Sequence, residues 1–363
     1  MSKWIEGAVL LAGIAVSVGA GTTAYFYNRT MKRNNANVER TMKMAGTDWS
    51  QHMPFIEARK EFMLAWPHED MYIESDDGLK LHATWFPGCE AEPAVEAGTE
   101  KTDKNKQRRD GAEAAMAATD VTTQKTGDAK HPEDKALQKG KKVVICFHGY
   151  TSKGMSDYIG LSGYYLKRGY GMLLVDERAH GESEGKYIGF GCLDRHDALK
   201  WIRWVTEKVG EDVQILLHGT SMGASTVLMA SGLSLPEQVK GIVSDCAFTS
   251  PKHVFTHVLH SMYHLPAFPM IPVSDAVNKR KAGYGLDECN AAREVKKAKV
   301  PILFIHGDAD TFVPCSMCDE IYENCASPKT KLIIKGAAHA ESYYKDPEAY
   351  EKALDAFTEG LFQ

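Results

Sequence analysis

From residue 143 onward the chain is punctuated by six short, unbroken apolar runs: Val143–Phe147, Met172–Val175, Val213–Leu217, Gly241–Val243, Ile302–Ile305 and Leu332–Ile334. Stretches with helical periodicity separate them, among them Leu193–Val209, Met222–Leu233 and Pro347–Phe362. A strand with one face in water alternates apolar and polar residues; a strand with no polar positions must be buried on both faces. Such strands alternating with helices predict an α/β fold, a mostly parallel central sheet flanked by helices. Ahead of them, Tyr72 to Phe86 reads as a hairpin, with Asp77-Gly78 as the turn and Leu79, Leu81 and Ala83 alternating on one face. In open parallel sheets ligands bind beyond the carboxyl ends of the strands. The residues just past each apolar run are therefore where chemistry is expected.

Past Val213–Leu217 comes Gly219-Thr220-Ser221-Met222-Gly223, then a small-residue helix opening with Ala224-Ser225-Thr226. This is a G-x-S-x-G elbow in strand–turn–helix context, which leaves the serine hydroxyl exposed on a strained turn. Gly181-Glu182-Ser183-Glu184-Gly185 matches the same pattern, but lies well past its strand and runs into Lys186-Tyr187-Ile188-Gly189, no helix start. Ser221 is the expected nucleophile. A serine needs a base, and the base an orienting carboxylate. Asp310, in the loop after Ile302–Ile305, is the expected acid, with Asp308 as the alternative and Asp245 a more distant one. His339, past Leu332–Ile334, is the expected base, and the chain order Ser, Asp, His is that of elbow-bearing folds. An oxyanion needs two backbone donors: the N–H of Met222 at the start of the elbow helix, and that of Tyr150 in the loop after Val143–Phe147. His148 and Gly149 of that loop, Phe268 in the apolar piece Leu265–Pro272, and Phe312 beside the acid are the expected substrate contacts.

His148-Gly149-Tyr150, Asp176–Gly185, the elbow, Gly307–Asp310 with Val313-Pro314, and Gly336-Ala337-Ala338-His339 together resemble the α/β-hydrolase superfamily. The likeness is particularly to a bacterial membrane-anchored branch related to the serine-aminopeptidase-like hydrolases. It runs from about residue 70 to the C-terminus, apart from a charged insertion. It implies an α/β-hydrolase fold with its triad at Ser221, Asp310 and His339, and a short lid within residues 250–300. It does not choose among esterases, acyltransferases, thioesterases and peptidases, because one fold serves them all.

Two segments stand apart from the domain. Gly7 to Tyr27 carries no charged residue and is long enough for a helix of roughly 20 residues to cross a bilayer. Trp4 and Tyr25-Phe26-Tyr27 sit at its ends, where interfacial aromatics belong. Residues 5–27 are read as an uncleaved transmembrane anchor. A signal peptide cut after Val18-Gly19-Ala20 is the rival, but its basic region would be Lys3 alone, with Glu6 nearby. Arg29, Lys32, Arg33, Arg40 and Lys43 place the body on the cytoplasmic side by the positive-inside rule. The second segment, residues 88–140, has no Phe, Tyr or Trp and few large aliphatics, so a disordered charged insertion is expected. The hydrolase domain then comprises residues 28–87 and 141–363.

A net charge of −5 without a long basic run argues against nucleic acid as the main ligand. Eight cysteines without framework spacing fit a reducing compartment. His253, His257, His260 and His264 recur on one helical stripe, opposite Val254, Phe255, Val258, Leu259 and Met262. They read as the solvent side of an amphipathic lid helix, with no carboxylate or thiol nearby to complete a metal site. Cys315, Cys318 and Cys325 read as packed thiols, and no phosphate-cradling signature occurs, so neither metal nor cofactor is expected. The expected protein is a membrane-anchored serine hydrolase acting on a small-molecule or lipid-like ester. A peptidase, an acyltransferase or thioesterase with the same triad, or a catalytically idle tethered binding module, are the alternatives.

Overall fold

A computed structural model describes residue 21 and residues 23–33, 47–88 and 142–362. Every apolar run becomes a strand. β1 (Glu69–Glu74), β2 (Lys80–Phe86), β3 (Lys142–Phe147), β4 (Gly171–Val175), β5 (Gln214–Thr220), β6 (Val239–Asp245), β7 (Ile302–Gly307) and β8 (Lys329–Ile334) form one sheet in the order β1-β2-β4-β3-β5-β6-β7-β8. The expected hairpin is β1–β2, in antiparallel register from Glu69↔Trp85 to Glu74↔Lys80, and Gly78 at φ 80° closes its turn. β2 runs antiparallel to β4; from β4 to β8 every pairing is parallel.

Side-chain alternation along the strands builds two cores. Val143, Ile145 and Phe147 of β3, with Leu173, Ile215 and Leu217 of its neighbours, pack on one face. Val144, Cys146, Met172, Leu174 and Leu216 pack on the other. The first face is covered by α3 (Asp194–Val209), through Trp201, Ile202 and Val205, and by α4 (Met222–Ala230). The second is covered by α1 (Met53–Leu64), α2 (Ile159–Lys167) and α8 (Pro347–Glu359), through Met63, Tyr165, Tyr350 and Leu354. Burial on both sides is what the runs without polar positions require. Between β6 and β7, where a lid was expected, the chain forms the helices α5 (Pro251–Tyr263) and α6 (Met270–Ala282); α7 (Cys315–Asn324) follows β7. Ser250 caps α5 by accepting from the His253 N–H at 3.2 Å, and Pro251 fills its first turn.

The N-terminal expectation is corrected in part. Residues 5–20 and 22 of the expected anchor lie outside the described residues. Among those described, no helix is long and apolar enough to cross a membrane. Residues 23–31 are helical, and Thr23, Tyr27 and Met31, spaced four apart, are buried. Phe26 and Tyr27 pack against the folded domain. Phe26 stacks edge-on to Tyr263 at 4.8 Å between centroids, and the Tyr27 hydroxyl donates to Asn278 Oδ1 at 3.2 Å. Residues 89–141, nearly the whole of the expected charged insertion, also lie outside the described residues.

The histidine stripe is interrupted as well. α5 ends at Tyr263, and His264 turns left-handed at φ 53°. His253 bonds Thr249 Oγ1 at 2.8 Å, His257 reaches the Thr311 carbonyl at 2.9 Å, and His260 accepts from the Ala267 N–H at 3.3 Å. These three imidazoles thus each have their own partner. Cys318 and Cys325 are buried free thiols and Cys315 is partly buried.

Candidate active site

β5 delivers Ser221 at its carboxyl end, and the turn into α4 admits little besides glycine on either side. A Cβ on Gly219 would stand 2.2 Å from the Gly223 carbonyl oxygen, and one on Gly223 would stand 1.9 Å from that of Phe147. Ser221 itself is held at φ 52°, ψ −108°, in a region ordinary side chains avoid. Three hydrogen bonds fix the strained turn. The Ser221 N–H donates to the Asp245 carbonyl at 2.8 Å, the Gly223 N–H to that of His148 at 3.0 Å, and the Ser225 N–H to that of Ser221 at 3.0 Å.

The Ser221 hydroxyl lies 2.8 Å from His339 Nε2, and His339 Nδ1 lies 2.7 Å from Asp310 Oδ2. With its Nδ1–H donated to the carboxylate, the imidazole presents Nε2 as an acceptor to the serine. The other Asp310 oxygen accepts the N–H groups of Phe312 at 2.9 Å and Val313 at 2.8 Å. Burial alone would raise the Asp310 pKa. The charge of His339 and hydrogen bonds from His306 and His339 outweigh it and hold the carboxyl well below its ordinary range. His306, absent from the sequence-derived site, lies fully buried with Nε2 3.4 Å from Asp310 Oδ2 and 2.8 Å from the Val313 carbonyl. Its one sequence signal was its place as the last side chain of β7, directly before the acid loop.

The two alternative acids are engaged elsewhere. Asp308 accepts the Gly336 N–H at 2.6 Å and braces the neighbouring loop. Asp245 takes the hydroxyls of Ser342 at 3.0 Å and Tyr350 at 3.2 Å, and burial pushes its pKa up to about 6. The second G-x-S-x-G copy is a structural loop. Ser183 is buried, donates to the Asp176 carbonyl at 2.5 Å and accepts the His82 N–H at 2.8 Å.

Of the expected oxyanion donors, neither the Met222 nor the Tyr150 N–H makes a hydrogen bond among the described residues. Gly149 lies against Ser221: a Cβ there would sit 3.4 Å from Ser221 Cβ, while its N–H is taken by Asp157 at 2.6 Å. His148 and Phe268 lie outside the pocket that Ser221 lines. The His148 ring is buried in bracing contacts, with Nδ1 donating to the Gly149 carbonyl at 2.7 Å and Nε2 accepting the Glu177 N–H at 3.0 Å. Phe268 is 77% exposed and lines no wall of the site, because the loop joining α5 to α6 turns it outward. Phe312 does line the site, with its ring 5.0 Å from that of His339.

Ser221 opens into a cavity of about 120 Å³. Phe190, Phe248, Val254, Leu259 and Ile271 supply apolar walls, and Tyr150 stacks on Phe190 at 5.4 Å. The N-terminal helix contributes Phe26, Tyr27, Thr30 and Met31, which the sequence reading had not connected with the site. Cys246, Asp310 and His339 form the one cluster of possible metal donors among the described residues. Both Asp310 oxygens and both His339 nitrogens already have partners, and burial pushes the Cys246 thiol well up toward its protonated form. These contacts leave the cluster little room to act as a ligand set.

Comparison with known proteins bears on the family and the fold. The α/β hydrolase fold family matches residues 142–270. The uncharacterized protein YqkD of Bacillus subtilis is 30% identical over 221 residues, which is 60% of this chain and 71% of that one. The chain belongs to the α/β-hydrolase family. Another relative of this hydrolase is the lysophosphatidylserine lipase ABHD12 of Danio rerio, 24% identical over 54% of this chain and 50% of the lipase. Among solved structures, the esterase Pf2001 of Pyrococcus furiosus superposes with a TM-score of 0.57 at 20% identity, over 83% of this hydrolase and 93% of the esterase. At that identity the likeness speaks for the fold.

Proposed function

We propose that this α/β hydrolase is a serine esterase that works through an acyl-enzyme. The observation that carries the reading is the unbroken chain from the Ser221 hydroxyl through His339 to Asp310, at 2.8 and 2.7 Å, on a strained turn facing an apolar cavity. In this scheme Ser221 Oγ attacks the ester carbonyl while His339 Nε2 takes its proton. The carbonyl oxygen becomes negative and is met by the N–H groups of Met222 and Tyr150. His339 then returns the proton to the departing alcohol as the carbon–oxygen bond breaks. Water, deprotonated by His339, attacks the acyl-serine, and the proton passes back to Ser221 as the acid leaves. Asp310 stays ionised throughout and fixes the imidazole tautomer, the task for which its lowered pKa suits it.

The apolar walls favour an ester with an apolar acyl group, and the names of the esterase and lipase relatives point the same way. Matched p-nitrophenyl ester and p-nitroanilide substrates provide the test. The ester should be turned over at least about tenfold faster, and Ser221→Ala should lower that turnover on the order of 10³-fold or more. A faster anilide would make the protein a peptidase. An unaffected Ser221→Ala variant would remove the triad from the account.

A further inference from the structure

The esterase reading leaves open which acyl groups can reach Ser221, and the cavity wall answers that. Loops past the strands supply Phe190, Phe248 and Phe312, and α5 and α6 supply further side chains. The remaining wall is the N-terminal helix, residues 23–31, which lies outside both those helices and the family-matching stretch. Its attachments are specific. Tyr27 is buried and bonds Asn278 of α6, which in turn donates to the Tyr284 carbonyl at 2.8 Å. The Met31 carbonyl accepts the Ile188 N–H at 2.9 Å, the Arg33 N–H reaches the Lys186 carbonyl at 3.1 Å, and the Arg33 guanidinium donates to the carbonyls of Gly181 and Ser183. The loop that mimics a nucleophile elbow is therefore the socket for this helix.

We infer that the N-terminal helix is the acyl-length gauge of the enzyme, that Phe26, Tyr27 and Met31 set its limit, and that the substrates are esters of short acyl groups. This rests on the esterase reading of Ser221. A cavity of about 120 Å³ is close to the roughly 150 Å³ apolar cavity that holds a benzene ring, so a few carbons fill it. A longer chain outgrows this space and meets the side chains of its walls. Phe26 is the least enclosed of the three. It is only partly buried, touches the Tyr263 ring, and packs on the small cluster of Leu259, Met270 and Ile271. Tyr27 and Met31 are seated in the main core.

The test measures kcat/KM for p-nitrophenyl acetate, butyrate, octanoate and dodecanoate on the full chain and on Phe26→Ala and Phe26→Trp. The readout is the ratio of dodecanoate to butyrate, in which any change common to all the esters cancels. The full chain should favour butyrate. Phe26→Ala should raise the ratio by about tenfold, the order of effect that filling or freeing pocket volume has on specificity, and Phe26→Trp should lower it. Opposite shifts from the two variants exclude simple loosening of the fold. A full chain that favours dodecanoate, or a ratio that neither variant moves, overturns the inference while the esterase reading stands. A full chain that hydrolyses none of the four and takes up no fluorophosphonate overturns the esterase reading and the gauge together.

Discussion

At Ser221 the backbone sits at φ 52°, an arrangement that costs a non-glycine residue on the order of 1 kcal/mol or more and persists only when its surroundings fix it. The Asp245 and His148 carbonyls do so here, one on each side of the turn. The acid is fixed as firmly, with both oxygens of Asp310 engaged. Asp310→Asn should keep the fold yet lower kcat by about 10⁴-fold, because an amide holds the imidazole in the wrong tautomer. Asp308→Asn should be mild, since it disturbs one exposed loop contact to Gly336. Steady-state kinetics of both variants on one activated ester decide between them, and a severe defect in Asp308→Asn alone would reverse the assignment. The meeting of Ser221, His339 and Asp310 was legible in the sequence because chain order and strand ends constrain it. The burial of the His148 ring and the exposure of Phe268 were not legible, because a loop residue's position along the chain does not reveal where its side chain turns.

Among the elements, α3 offers a test of electrostatics independent of catalysis. Asp194 opens this helix, fully enclosed beside Asp197 and near Arg178. Burial pushes its pKa up to about 6; Arg178 opposes the shift and Asp197 adds to it. In the unfolded chain an aspartate titrates near ~3.9, so between about pH 4 and 6 the folded state binds the extra proton. The stability from Asp194 is thus greatest at low pH and is lost as pH rises through that window. Asp194→Asn keeps the acceptor for the Gly191 N–H, found at 2.8 Å, and removes the titration. Stability of the full chain relative to this variant should fall by roughly 1.4 kcal/mol per pH unit from pH 4 to 6, then level off. Urea titrations of both proteins across that range would show it, and a difference independent of pH would refute it. The periodic helices were foreseen to within a few residues because their apolar stripes are dense. The N-terminal helix was not, because its buried stripe of Thr23, Tyr27 and Met31 includes a polar residue and adjoins an uncharged stretch that dominates any hydropathy reading.

Across the whole molecule, β2 ends and β3 begins at the end of the sheet opposite the site. β2 ends at Phe86, paired with Met172 at the start of β4, and β3 begins at Lys142; Ser221 and Tyr150 lie past the opposite ends of the parallel strands. β2 and β3 are separated only by β4, a gap of about 10 Å that the few residues left by a deletion can bridge. Removing residues 90–139 should leave kcat within about twofold and the melting temperature within a few degrees. A fall of many degrees in a thermal melt would mean that the segment is built into the domain. The doubly covered sheet was readable from the six unbroken apolar runs, whereas the closing of the cavity by a distant N-terminal helix is a tertiary contact that no local pattern encodes.

The central claim is that Ser221, and not its double at Ser183, is the nucleophile. Ser221 shares a 2.8 Å contact with a carboxylate-bound imidazole, while the Ser183 hydroxyl is consumed by the Asp176 carbonyl and the His82 N–H. Peptide mass spectrometry of the full chain after fluorophosphonate treatment tests this directly. One adduct should be found, on the peptide carrying Ser221, and it should vanish in His339→Ala; an adduct on Ser183, or none at all, would contradict the account.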